Sequence, residues 1–129
     1  MDIKSQSKLA KQGESLAAQY MIAHGYYIAT RNYHSAYGEI DFIALKTDEI
    51  IFAEVKTRKN HSLKSAEDSI TMAKQKKITL TAMHFLAQNP QYSHLSCRFD
   101  VLIVFQYPDD TYKILHYPDA FKPTEINNY

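Results

Sequence analysis

The sequence has one cysteine, Cys97, no tryptophan and only three glycines. A lone thiol excludes an internal disulfide framework, and no closely spaced Cys/His set offers the ligands of a structural zinc site. No run of about 18 apolar residues appears, and the opening MDIKSQSKLAKQGES lacks the apolar centre of a signal peptide. These absences predict a soluble, cytoplasmic chain with no membrane partner. A marked excess of one charge is missing too: the formal net charge is +1, which by itself argues against a general polyanion binder.

What is present is enough apolar material for one core. With 129 residues, 45% of them hydrophobic, the chain is expected to form a single domain over residues 1–129. Its charge is unevenly spread. From Lys56 to Lys77 there are seven basic residues against Glu67 and Asp68, leaving eight basic and twelve acidic residues elsewhere. A positive field concentrated in one segment fits a nucleic-acid backbone, although a solvated helix face with a loop has the same composition.

Hydrophobic periodicity gives the elements. Leu9, Gly13, Leu16, Ala17 and Tyr20 recur at three- and four-residue intervals, predicting a helix over residues 4–24 that Gly25 closes. An extended run from Tyr26 to Tyr33 is the first strand. Residues 38–46 alternate, with Ile40, Phe42 and Ala44 on one face and Glu39, Asp41, Ile43 and Leu45 on the other. After the turn Thr47-Asp48, residues 50–56 form a third strand. Ser65 and Asp68 resemble a helix-start pair, and Ile70, Ala73, Ile78, Ala82, Phe85 and Leu86 mark a buried stripe up to Asn89-Pro90. Phe99 to Phe105 reads as an internal strand, and Tyr112 to His116 as a short fifth strand before an irregular tail. The order predicts an α/β layer structure around a central sheet.

Two carboxylates in apolar strands carry the chemistry. Burying an unpaired carboxylate costs several kcal/mol, so Asp41 and Glu54 need compensation, which a divalent cation supplies. Glu54 and Lys56 leave the same face of the third strand, and a hairpin at Thr47-Asp48 brings Asp41 alongside. In that arrangement Asp41 and Glu54 hold Mg²⁺ or Mn²⁺, Lys56 orients a water or offsets charge at a scissile phosphate, and Glu14 reaches the same ion from the first helix, where Gly13 permits close packing. Val55, between Glu54 and Lys56, completes the metal set. Arg58, Lys59, Lys64, Lys74 and Lys77 are the expected contacts to a nucleic-acid backbone. The alternative is a structural ion pair among Asp41, Glu54 and Lys56. Elsewhere, Tyr33 or Tyr37 has the π-face to stack on a base, and Arg98 with Asp100 predicts an ion pair at the start of the fourth strand. The bare pattern is unspecific, since Asp2-Ile3-Lys4 repeats it; the strand context gives it weight.

Gln12-Gly13-Glu14-Ser15-Leu16-Ala17, Gly25-Tyr26, Arg31-Asn32-Tyr33, Gly38-Glu39-Ile40-Asp41-Phe42-Ile43-Ala44, Glu54-Val55-Lys56-Thr57-Arg58 and Arg98-Phe99-Asp100-Val101 together resemble the YraN-type family of small bacterial proteins. That family is similar to archaeal Holliday junction resolvases and to the PD-(D/E)xK, restriction-endonuclease-like superfamily. The resemblance implies a mixed sheet flanked by helices in the order α-β-β-β-α-β plus a short extra strand. It also implies Mg²⁺-dependent cleavage of DNA, branched or otherwise structured, with Asp41, Glu54 and Lys56 in the nuclease signature and Glu14 as the helix glutamate. Resolvase-like enzymes act on two-fold substrates, so a homodimer is a further expected partner. A non-cleaving nucleic-acid-binding module of the same fold is the alternative function. Two departures stand out: His34-Ser35-Ala36-Tyr37 replaces an arginine-rich loop, and the usual glycine is absent from Asn60-His61-Ser62-Leu63-Lys64-Ser65.

Overall fold

A computed structural model describes residues 3–59 and 70–123, with side chains from residue 8 onward. Helix α1 (Ile3–Ala23) is followed by strands β1 (Tyr27–Ser35), β2 (Gly38–Lys46) and β3 (Glu49–Arg58), helix α2 (Met72–Gln88), a short 3-10 turn (Pro90–Tyr92), and strands β4 (Ser96–Gln106) and β5 (Tyr112–Phe121). The five strands make one sheet in chain order. Neighbours are antiparallel except β3 and β4, which run parallel because α2 carries the chain back across the sheet. This is the expected mixed α/β sheet flanked by helices.

Each face of the sheet has its own helix. Ala17 and Met21 of α1 pack on Phe42, Ala44, Ile51, Ala53, Leu102 and Val104. On the opposite face Ile78, Ala82 and Phe85 of α2 pack on Ile40, Ile43, Ile50, Phe52 and Phe99. Side chains of β4 therefore enter core on both sides, as a central strand requires. Among the described residues, no helix is long and apolar enough to cross a membrane.

Local chemistry explains most boundaries. Gly25, at φ 90°, ends α1, where its N–H bonds Ile22 O at 3.0 Å and the Tyr26 N–H bonds Met21 O at 3.0 Å. That paired pattern is a left-handed glycine cap. The β2–β3 turn has the predicted place, with Lys46 opposite Glu49 and Thr47 at positive φ.

Four expectations need correction. Ile40 lies with Ile43 on the α2 side, not with Phe42 and Ala44. The β2–β3 ladder begins only at Phe42 and Ala53, so alternation breaks at Asp41, where β2 departs from its partner. Helix α2 starts after Thr71, whose side chain accepts the Lys74 N–H at 3.1 Å; Ile70 precedes it and Ala73 is exposed. The expected start at Ser65 and Asp68 falls outside the described residues. Finally β5 runs on to Phe121, because an irregularity around Pro118-Asp119-Ala120 lets pairing resume with Phe99.

Candidate functional site

Asp41 stands where β2 leaves β3. With the ladder interrupted, its side chain takes the place of a strand partner: the Val55 N–H donates to Asp41 Oδ2 at 2.7 Å. Burial, then the charge of Glu54, then a hydrogen bond and charge from Glu14 push the Asp41 carboxyl up from 3.8 to about 8, and the Val55 N–H only partly counters them. Two of the expected carboxylates thus converge on the third, one from β3 and one from α1. Among the described residues, no group of three or more His, Cys, Asp or Glu side chains is spaced to enclose an ion directly.

Glu54 and Lys56 share a face, as their spacing predicts, while Val55 turns to the α1 side. Glu54 is buried, and its Oε1 receives two ammonium groups, Lys56 Nζ at 3.3 Å and Lys74 Nζ at 3.2 Å. Lys74 comes from the first turn of α2 on that side of the sheet. A shallow groove lined by Leu9, Ala10, Glu14, Val55, Lys56, Thr57 and Arg58 runs along the α1 side.

Two glycines set this geometry. An added Cβ on Gly13 would overlap Thr57 Oγ1 and lie 3.3 Å from Thr57 Cβ, so only glycine lets α1 sit this close to β3 and present Glu14 to Asp41. Gly38, at φ 153°, has a backbone conformation that side chains rarely adopt, and the space beside it holds Thr81 and Lys77 of α2. These contacts give Gly13 and Gly38 of the Gln12-Gly13 and Gly38-Glu39 motifs physical roles.

Of the other expected residues, Arg58 lines the groove with Glu14 and Lys56. Arg58 bonds the Thr57 carbonyl at 3.0 Å, and Lys59 and Lys77 are exposed. Lys64 lies outside the described residues. Tyr33 bonds His84 and packs edge-on to Phe85, which gives it a structural role, whereas Tyr37 is half exposed.

Arg98 and Asp100 form the predicted ion pair, and more. Fully buried Asp100 accepts from Arg98 Nε and Nη2, both at 2.8 Å, and from the Asp119 N–H at 3.0 Å, and it bonds His116 Nε2 at 2.7 Å. Arg98 also reaches Glu49 at 3.1 Å and Tyr26 at 2.8 Å. Burial works to raise the Asp100 carboxyl, but His116, Arg98 and the Asp119 amide outweigh it and hold the group below its ordinary value. Sequence reasoning did not foresee that His116, a histidine in an apolar strand, bonds Asp100, or that Lys74 pairs with Glu54, for which no local signal exists.

The family model for "Uncharacterised protein family UPF0102" matches residues 13–104, which include Gly13, Glu14, Asp41, Glu54, Lys56 and Asp100. The chain is 40% identical over 121 residues to a UPF0102 protein of Treponema pallidum (strain Nichols), covering 92% of this chain and 96% of that one. It is 43% identical over 100 residues to a UPF0102 protein of Acinetobacter baylyi, covering 78% of this chain and 71% of the relative. A UPF0102 protein of Alcanivorax borkumensis is 38% identical over 100 residues, with 78% and 80% covered. These matches agree with the motif resemblance to an uncharacterised bacterial family, and the chain belongs to UPF0102.

Proposed function

We propose that this chain is a divalent-metal-dependent endonuclease that hydrolyses DNA phosphodiester bonds, with branched or otherwise structured DNA as its substrate class. The crowding of Asp41 carries the reading: burial and the neighbouring carboxylates of Glu54 and Glu14 push its carboxyl to about 8. A cation at that point would offset the repulsion, and the donors available are hard oxygens of the kind Mg²⁺ and Mn²⁺ take.

Asp41 and Glu54 would hold the ion, with the Val55 main-chain carbonyl beside them and Glu14 acting directly or through water. One or two carboxylates suffice for Mg²⁺, the rest of its shell being water and substrate oxygens. The bound metal would supply Lewis-acid charge at a phosphate oxygen and acidify a water. Lys56 would direct its ammonium to the attacking water or to the growing negative charge on phosphorus. The Val55 N–H would fix the orientation of the Asp41 carboxylate. Arg58, Lys59, Lys64, Lys74 and Lys77 would hold the DNA backbone to either side, with a second copy of the chain addressing the other half of a two-fold junction.

One observation favours the second reading, a nucleic-acid-binding module that does not cut. Glu54 already has two lysine ammonium groups on one oxygen, so its charge is balanced without a metal. A cleavage panel separates the readings: four-way junction, flap, duplex and single-stranded DNA, with Mg²⁺, Mn²⁺ or chelator. The nuclease reading expects metal-dependent products, reduced by about a hundredfold or more in Asp41→Asn, Glu54→Ala and Lys56→Met, all of which still bind DNA. No product from any substrate, with DNA binding indifferent to chelator, would replace it with the binding module.

A further inference from the structure

We infer that Lys74 is an internal counter-ion of the candidate metal site, occupying Glu54 while the metal is absent and released toward the DNA phosphate when a divalent cation binds. The inference rests on the metal reading proposed above.

Glu54 Oε1 is the meeting point of two ammonium groups, at 3.3 Å for Lys56 and 3.2 Å for Lys74. Each competes with a metal for the lone pairs of that oxygen. The two lysines differ in tether. Lys56 is two residues along the same strand with its side chain 20% exposed, whereas Lys74 comes from another element and is 40% exposed. Lys74 therefore has room to swing away.

Charge counting selects the same residue. Asp41, Glu14 and Glu54 carry three negative charges when ionised, and Lys56 and Lys74 return two positive ones. Adding a divalent ion to all five groups leaves a surplus positive charge at a largely buried place. Departure of Lys74 removes the surplus, and Lys56 remains for the chemistry.

Helix α2 adds a third argument. Its first turn has no acidic residue and carries Lys74, where the helix dipole disfavours a cation, with Lys77 one turn further on. Glu54 offsets that for Lys74 while the pair is intact. Once released, Lys74 stands one turn before Lys77 on the same side of the helix, and a phosphate is the anion that satisfies both. Metal and DNA binding then reinforce each other.

The test is calorimetric titration of Mn²⁺ into wild type, Lys74→Met and Lys74→Gln, with folding checked by circular dichroism. Labelled four-way-junction affinity is measured alongside at constant ionic strength, with and without Mn²⁺, before product accumulates. Removing the competing ammonium should tighten Mn²⁺ binding on the order of tenfold, and Mn²⁺ should strengthen junction binding more in wild type than in either variant. A lysine with a merely structural role would leave Mn²⁺ affinity unchanged or lower it. That result, with wild type still binding Mn²⁺, overturns the role of Lys74 and leaves the metal reading standing. If wild type binds no Mn²⁺, both fall.

Discussion

At Asp41 the folded chain keeps a proton that the unfolded chain releases. With an ordinary value of 3.8 and a folded value of about 8, the carboxyl is protonated in the fold and ionised in the unfolded state between those limits. Its contribution to stability in the absence of metal is greatest at the low end of that window and is lost as pH rises toward 8. Thermal melts in chelator should therefore show a falling midpoint from about pH 5 to pH 8, and Asp41→Asn should flatten the slope. A slope unchanged by the substitution would refute this. Asp100 behaves oppositely: held below its ordinary value, it contributes stability above pH 3.8 that is lost as acid protonates it. Its loss takes from Arg98, His116 and the Asp119 amide the buried acceptor they share, so Asp100→Ala should cost about 3–5 kcal/mol by urea denaturation. A cost under about 1 kcal/mol would mean that the network stabilises little. Asp41, Glu54 and Lys56 were legible in the sequence because charge inside apolar strands demands a reason. The contacts of Lys74 and His116 were not, since each meets its partner only through the way two different elements pack or pair.

Among the elements, the seat of α1 on β3 is the tightest requirement. Gly13→Ala drives a methyl into Thr57, and overpacking of this kind costs about 1–3 kcal/mol while pushing Glu14 away from Asp41. Thr57→Ala in the same chain should restore part of that stability, measured by denaturant midpoint. Additive losses in the double variant would show that the two residues do not meet. The strand β2 was readable to the residue because Gly38 and Lys46 bracket an apolar run, and the β2–β3 turn followed from Thr47-Asp48. Where β2 breaks alternation, the pattern gave the wrong face for Ile40, because a side chain replacing a ladder partner leaves no trace in periodicity. Thr71, whose side chain accepts the Lys74 N–H, caps α2, a polar residue that the apolar stripe running through Ile70 and Ala73 concealed. Pro118 concealed the continuation of β5, which the bond from the Asp119 amide to buried Asp100 supports.

For the molecule as a whole, a net charge of +1 conceals a segment from Lys56 to Lys77 that is strongly positive. If DNA lies along it, Arg58→Gln and Lys77→Gln should each weaken binding for all sequences alike and lower the slope of log affinity against log salt by about 1. Fluorescence anisotropy across a salt series reads this, and an unchanged slope would remove those residues from the interface. On the proposed reading the same field would draw phosphate toward a site whose own carboxylates repel it, and a bound cation would reconcile the two. Calorimetric titration of Mn²⁺ at about pH 8 into wild type, Asp41→Asn and Glu54→Gln tests that most directly. The account predicts one ion bound per wild-type chain and none detectable in either variant; wild type without binding, or variants that bind as wild type does, would contradict it.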